Sequence, residues 1–223
     1  MIQIIRMLFL LCVTTLSQAL PAPFVYLHQV APSIIQDMRY ASSNNFTGRP
    51  VPGYNSPRCI LTLQAAKQLQ LIQAKAKKKG YSLKVYDCYR PQKAVDAFNR
   101  WSQNLSDQKT KAAYYPREKK DTLFDKGYIA HYSGHTRGST VDLTLVKQDK
   151  TGTHSLDMRT PFDYFDKRTH AYYSGLSKAQ KHNRMVLRRL MTGNGFKPYS
   201  KEWWHFTLSK EPFPKKYFNF PVQ

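Results

Sequence analysis

Residues 133–145 read SGHTRGSTVDLTL, a stretch that combines a turn with a strand pattern. Its second part, residues 140–145, alternates polar and apolar residues as a half-buried strand does. His135 precedes a glycine in the turn and Asp142 lies within the strand, so a loop can bring both side chains to one edge of a sheet. An acidic residue between two apolar ones is costly to bury unless it is paired or bound to a metal. We therefore favour a metal-binding role for the pair over a turn-capping histidine and a lone carboxylate.

A second cluster, EWWHF, occupies residues 202–206. In an extended chain Glu202 and His205 would point to opposite faces, so a bend or bulge before the strand is needed for both to reach one site. Two histidines, an aspartate and a free glutamate are the components of a mononuclear hydrolytic zinc centre. We predict one zinc ion per chain, held by His135, Asp142 and His205. Glu202 would be its acid/base partner, accepting a proton from water in dry, aromatic surroundings.

The elements around these clusters are predicted from apolar periodicity and turn residues. Helices are expected at 61–79, 92–105 and 177–191, strands at 81–87, 140–145 and 203–208, a surface excursion at 106–126 and a polar loop at 147–155. Helices and strands are mixed without a repeating βαβ order. We therefore expect an α+β fold, a single domain with a small, mostly antiparallel sheet and flanking helices.

The first 19 residues differ from the rest of the chain. Arg6 is their only charge, an apolar run follows it, and small residues end the run at 17–19. This is the pattern of a secretory signal peptide, and the run is shorter than the roughly 20 apolar residues of a membrane span. We expect cleavage after Ala19, a catalytic domain at 20–223, and an exported protein that is periplasmic or secreted. No later stretch is apolar enough to predict a membrane span.

Charge and cysteines leave two questions open. The chain carries a net charge of +21, which suits nucleic acid, anionic lipid or an acidic wall polymer. The lysines are scattered and no nucleic-acid module accompanies them, so we favour a solvated basic surface, expect no nucleic-acid partner and leave contact with anionic cell-wall polymers open. After loss of the signal peptide Cys59 and Cys88 remain, and the sequence does not decide whether they form a disulfide.

Four motifs in chain order resemble those of the D-alanyl-D-alanine dipeptidases, the vancomycin-resistance type included. They are DMRYASSNNFTG at 37–48, VYDCYRP at 85–91, the pattern Ser-x-His-x-x-Gly-x-x-x-Asp at 133–142 with Glu-x-Trp-His at 202–205, and TPFDYFD at 160–166. The likeness runs from about Ile35 to Phe206. Three features depart from the family pattern: Ser42 and Thr140 replace a usual Thr and Ala, and the loop at 147–154 is slightly long.

The resemblance implies a Hedgehog/D,D-peptidase-like fold and zinc-dependent hydrolysis of D-Ala-D-Ala to two D-alanines. It implies that Arg90, on a turn stiffened by proline, stabilises the oxyanion; a structural salt bridge to Asp87 is the alternative. Acceptors for the ammonium of a small D,D-dipeptide would be Asp163, Ser133 and Tyr40, with Asp166 able to exchange roles with Asp163.

Two other functions remain compatible with the motifs. One is a D,D-carboxypeptidase or endopeptidase that acts on peptidoglycan peptides. The other is a zinc-bearing binding domain without catalysis, as in the Hedgehog-type relatives. The presence of both Glu202 and Arg90 argues against the second.

Overall fold

A computed structural model describes residues 19–223 of the chain, so the predicted signal peptide lies, apart from Ala19, outside the described residues. The helices and strands in this part are, in chain order, β1 (Phe24–Tyr26), α1 (Leu27–Val30), β2 (Ile35–Gln36), β3 (Ile60–Thr62), α2 (Leu63–Lys77), β4 (Ser82–Asp87), α3 (Gln92–Gln103), α4 (Lys111–Tyr114), β5 (Thr140–Asp149), β6 (Gly152–Ser155), α5 (Lys178–Thr192), β7 (Phe196–Pro198) and β8 (His205–Leu208). Short 3-10 turns lie at Arg39–Ala41, Lys120–Thr122, Gly134–Arg137 and Lys167–Thr169. None of these helices is long and apolar enough to cross a bilayer.

The main sheet has the strand order β2-β4-β5-β8-β7, with β6 returning alongside β5. Its pairs are antiparallel except for β2 and β4, which run parallel. A separate two-stranded sheet joins β1 and β3. This arrangement confirms the predicted α+β class and the small, mostly antiparallel sheet.

Three neighbouring strands bring three polar residues onto one row of the sheet. Asp142 of β5 pairs with Asp87 of β4 on one side and with His205 of β8 on the other. Residues directly opposite each other in a sheet share a face and lie close together. The register between β4 and β5 shifts just before this row, between Val85 and Asp87. The sheet thus assembles a polar row from residues far apart in the chain.

The helices follow their local sequence signals closely. Ser177 caps α5: its hydroxyl accepts a hydrogen bond from Gln180 N, and the Gln180 side-chain oxygen accepts one from Ser177 N. α2 ends in lysines ahead of Gly80, whose φ of +76° suits a residue without a Cβ. The helix predicted from residue 61 starts only at Leu63, because residues 60–62 pair instead with β1.

Two other predicted boundaries are wrong for related reasons. The expected polar loop at 147–155 is a β-hairpin, since β5 continues to Asp149 and β6 pairs back along it. Its residues are exposed on both faces, so burial leaves no periodic pattern there. The strand expected from 203 begins only at His205, after a bend.

The core lies on both faces of the sheet, and an aromatic cluster extends it beneath the functional face. Phe46 contacts the rings of Phe98, Trp101 and Phe165 at centroid distances of 4.7–5.1 Å. Such edge and tilted contacts add to the stabilisation that burial provides. This cluster ties α3 to the loop that follows β6, the region that forms one wall of the site.

Candidate active site

The two histidines and the aspartate singled out in the sequence converge. His135 Nε2 lies 3.2 Å from Asp142 Oδ2, and His205 Nδ1 lies 3.1 Å from Asp142 Oδ1. The two imidazole nitrogens are 3.3 Å apart. One ligand atom from each residue falls within 4.8 Å of the others. The cluster has the size and donor set of a three-ligand metal site.

His135 is held by its turn and by a backbone carbonyl. Ser133 Oγ caps the 3-10 turn by accepting a hydrogen bond from His135 N at 3.3 Å. Gly138 ends the turn at φ +82°, where a Cβ would collide with the ring of Phe24. His135 Nδ1 lies 2.7 Å from the carbonyl oxygen of Cys88. Because a carbonyl can only accept, Nδ1 carries the hydrogen and Nε2 presents its lone pair to the cluster.

The carboxylates of the cluster favour positive charge beside them. Burial opposes protonation of His205, but the nearby carboxylates of Asp142 and Glu202 outweigh it and raise the pKa of His205 to about 9. Burial likewise opposes ionisation of Asp142, yet His135 and His205 lower its pKa. Asp142 Oδ1 is buried and has no hydrogen bond of good geometry. Two imidazoles and a carboxylate, one of whose oxygens can still accept a bond, are a donor set that fits zinc.

Glu202 reaches the cluster because the chain bends before β8. Its backbone N–H donates to Tyr199 O at 3.4 Å, and extended structure resumes only at His205. The carboxylate Oε2 then lies 3.4 Å from His205 Nδ1. The bend that the sequence required is therefore present. Glu202 stands beside the three candidate ligands.

Arg90 is fixed by the carboxylate that the sequence offered as its alternative partner. Its Nε and Nη2 lie 3.0 and 2.9 Å from Asp87 Oδ2, while Tyr54 donates to the other oxygen at 2.7 Å. The guanidinium also lies 3.7 Å from Asp142 Oδ2 and 5.1 Å from the ring centroid of Tyr40. Burial raises the pKa of Asp87, an effect that Arg90 opposes. The salt bridge therefore holds the guanidinium beside the cluster.

Asp163 forms a buried pair with Tyr40. The tyrosine hydroxyl donates to Asp163 Oδ2 at 2.9 Å, and the aspartate backbone has φ +60°, a conformation that residues other than glycine adopt at some cost. Burial raises the pKa of Asp163 well above its usual range, Asp142 adds to the effect, and Arg90 opposes it. Asp166 does not take part in this pair and does not line the cavity. It accepts hydrogen bonds from Arg117 and Arg168 at 2.7 and 3.0 Å.

These side chains surround a cavity of about 350 Å³. All eight residues predicted for the site line it: Tyr40, Arg90, Ser133, His135, Asp142, Asp163, Glu202 and His205. Sequence reasoning missed the wall formed by residues 127–130 and by Tyr199, whose hydroxyl donates to Gly127 O at 3.0 Å. No spacing or composition marks these residues, since they contribute surface rather than reactive groups.

The fold and the site together define a class of protein. Two histidines, an aspartate and a free glutamate meet in a small cavity on an α+β sheet, with a guanidinium beside them. This is the arrangement of a peptidase-type hydrolase built around a single candidate metal site.

Comparison with known proteins gives the family. The sequence pattern of Peptidase_M15, described as D-ala-D-ala dipeptidase, matches residues 21–223, and the chain belongs to this family. It is 43% identical over 199 residues to the D-alanyl-D-alanine dipeptidase of Enterococcus faecalis, covering 89% of this chain and 98% of the relative. The corresponding enzyme of Streptomyces coelicolor is 41% identical over 199 residues, again covering 89% and 98%.

A solved structure with some similarity is the vancomycin-resistance D,D-dipeptidase VanXYg in complex with a D-Ala-D-Ala phosphinate analogue. It is 18% identical, with a TM-score of 0.38, and the match covers 85% of this chain and 67% of that one. The family assignment rests on the matching sequence pattern and the sequence relatives, and not on this structural similarity.

The prediction of export is wrong on this comparison. The characterised D-alanyl-D-alanine dipeptidases among the relatives are cytoplasmic proteins. The expectation came from the apolar run near the N-terminus, which lies outside the described residues. A short apolar run after one positive charge is a signal from composition alone, and the localisation of the relatives contradicts the export predicted from it.

Proposed function

We propose that this protein is a zinc-dependent dipeptidase that hydrolyses D-Ala-D-Ala to two D-alanines, with one zinc ion per chain. The observation that carries the proposal is the convergence of His135, Asp142 and His205, with Glu202 alongside, in one small cavity. The names of the curated relatives support the substrate.

The metal would be held by His135 Nε2, His205 Nδ1 and a carboxylate oxygen of Asp142. When bound there, zinc supplies Lewis acidity, which polarises a carbonyl and makes water more acidic. Glu202 is placed to accept a proton from the attacking water and to pass it to the leaving amine. The peptide C–N bond breaks, and water contributes a hydroxyl to the acyl carbon and a proton to the amine.

Arg90 has the role of stabilising negative charge on the scissile carbonyl oxygen. Its ion pair with Asp87 and its contacts with the Tyr40 and Phe98 rings fix the guanidinium in advance. Donors that are already oriented need no reorganisation when charge develops, which is why they stabilise the transition state. The salt bridge and the catalytic role are therefore compatible.

Asp163 and Tyr40, with Ser133 nearby in the lining, would bind the substrate ammonium. Asp163 is a buried carboxyl whose pKa is raised by its burial and by the nearby Asp142 carboxylate, although Arg90 opposes the shift. An ammonium placed against it would restore the ionised form and form an ion pair. This pair would give the site a preference for a substrate with a free amino terminus.

A substrate comparison tests the proposal. Purified protein with zinc is given free D-Ala-D-Ala, an N-acylated D-Ala-D-Ala peptide and L,L-dipeptides, and D-alanine release is measured. We expect turnover of the free dipeptide alone, lost with a chelator and restored by zinc. Cleavage of the acylated peptide would instead indicate a D,D-carboxypeptidase or endopeptidase. Absence of turnover with every substrate would leave a zinc-bearing binding domain.

A further inference from the structure

The roles assigned so far leave one charge of the substrate unmatched. A free dipeptide carries an ammonium at one end and a carboxylate at the other. Asp163 and Tyr40 account for the ammonium, and Arg90 accounts for the scissile carbonyl. We infer that Arg137 binds the C-terminal carboxylate of the substrate, an inference that rests on the proposed dipeptidase function.

Arg137 is one of two guanidinium groups among the described residues that line the cavity. The other, Arg90, directs its Nε and one Nη toward Asp87 and lies against two aromatic rings. Each of the two guanidinium groups has a carboxylate partner, Asp87 for Arg90 and Glu211 for Arg137. Because Arg90 is assigned to the scissile carbonyl, Arg137 is the one of the two that has no substrate role so far.

Glu211 holds Arg137 in place without using all of its donors. Arg137 Nε donates to Glu211 Oε2 at 2.9 Å and Nη2 donates to Oε1 at 2.7 Å, and the arginine side chain is 17% exposed. A guanidinium has five N–H groups, and this fork uses one edge of it. The fork fixes the plane of the guanidinium, and the Tyr217 side chain also contacts it, with the ring centroid 5.8 Å from Arg137 Cζ. The donors that Glu211 and Tyr217 do not take would meet a second carboxylate.

The position of Arg137 suits the far end of a dipeptide. It follows His135 by two residues in the same turn, and a Cβ built on Gly134 would lie 3.5 Å from Arg137 Nη2 and 3.6 Å from Thr207 Oγ1. Thr207 lies two residues beyond His205 on β8, about 7 Å along the strand. Arg137 therefore lies close to the candidate metal ligands. The carboxylate of a dipeptide is one residue beyond the scissile carbonyl, so a group that binds it must lie at such a short distance from the metal site.

The two charge-binding groups lie on different sides of the metal cluster. Tyr40 and Asp163 adjoin Arg90, which is anchored to Asp87 on β4. Arg137 Nη2 and Thr207 Oγ1 of β8 both lie near Gly134, and β5 runs between β4 and β8. A zwitterionic dipeptide can thus span the cluster with each end facing its opposite charge.

Gly134 fits a narrow space between the turn that carries Arg137 and the sheet. A Cβ at this position would lie 2.8 Å from Thr140 Oγ1, closer than real Cβ atoms approach. The absence of a side chain therefore lets the turn lie against the β5–β8 pair.

The test uses a substrate that lacks only the carboxylate. D-Ala-D-Ala and D-alanyl-D-alaninamide are compared in wild type and in Arg137→Gln, and D-alanine release from the peptide bond is measured. We expect Arg137→Gln to lower kcat/KM for the free dipeptide about 100-fold, the effect of losing a charge-assisted hydrogen bond. The amide should be a poor substrate of wild type and should change less than about threefold in the variant.

Two further variants separate charge recognition from structure. Arg137→Lys keeps the charge without the fork and should recover part of the activity toward the free dipeptide. Arg49→Gln removes another guanidinium that pairs with a carboxylate, Asp107, outside the cavity lining, and should leave both substrates unaffected. Equal losses with dipeptide and amide in Arg137→Gln would overturn the inference in favour of a structural role.

Wild type alone also decides the question if Arg137→Gln fails to fold. Equal kcat/KM for the dipeptide and its amide would overturn carboxylate recognition while leaving the proposed function in place. No turnover of either compound would overturn the proposed function, and this inference with it.

Discussion

At the scale of single residues, Glu202 provides the sharpest separation of metal binding from catalysis. Its carboxylate lies 3.4 Å from His205 Nδ1 but it is not one of the three converging ligands. We expect Glu202→Gln to bind one zinc per chain, measured by elemental analysis, and to lower kcat about 10²- to 10⁴-fold because proton transfer is lost. Glu118→Gln, at a glutamate paired with Lys126, is the matched control. Retained turnover in Glu202→Gln would refute its role as the base.

Residues with unusual chemistry for their setting were predictable from sequence. Asp142 within an apolar strand and Glu202 with His205 among aromatic residues each carry a local signal. For Asp87 the sequence predicted only a possible salt bridge to Arg90. In the structure Asp87 also contacts Tyr54 and lies 3.4 Å from the His135 imidazole, both of which are distant in the chain. Spacing in a sequence cannot report such contacts, because only the folded sheet creates them.

At the scale of elements, Lys120 links residues 106–126 to α3. This segment was predicted as a surface excursion, yet Tyr115, Lys120 and Leu123 are buried. The Lys120 side chain is almost fully buried, its Nζ donates to the carbonyls of Trp101 and Asn104 at 3.2 and 3.0 Å, and it lies 4.0 Å from the centre of the Trp101 ring. A cation at a helix C-terminus satisfies free carbonyls and interacts well with the helix dipole.

We expect Lys120→Met to lower the free energy of unfolding by about 1–3 kcal/mol, because the carbonyls of Trp101 and Asn104 lose a charged donor and each keeps only one backbone N–H donor. Thermal melting of the purified protein measures the change. Lys119→Met, at the exposed neighbour, should melt like wild type. A melting temperature that is unchanged in Lys120→Met would show that the remaining backbone donors suffice for these carbonyls.

Prediction at this scale succeeded where one element explains its own pattern. α3 and α5 begin and end close to the predicted residues because caps and apolar periodicity are local. Residues 60–62 continue the apolar pattern of α2, yet pairing with β1 makes them a strand. The β5–β6 hairpin was missed because neither of its faces is buried beyond residue 146.

At the scale of the whole molecule, the site depends on contacts that hold its strands in position. Cys59 and Cys88 form a disulfide, which settles the question that the sequence left open. The bond joins the residue before β3 to the residue after β4, and both cysteines are fully buried. Cys88 also supplies the carbonyl that orients His135. One covalent link thus connects the small sheet to the strands of the large sheet that carry the candidate metal site.

We expect this bond to stabilise the fold substantially. It closes a loop with a sequence separation of 29, for which the loss of chain entropy in the unfolded state corresponds to about 3–4 kcal/mol. For a chain of this length that is roughly 10 °C in melting temperature. Melting is compared with and without reductant, while thiol titration of denatured protein verifies that two more thiols appear on reduction. Cys59→Ala/Cys88→Ala should melt identically under both conditions. If wild type does too, despite the two new thiols, the disulfide does not stabilise the fold, and noncovalent packing holds β3 against β4.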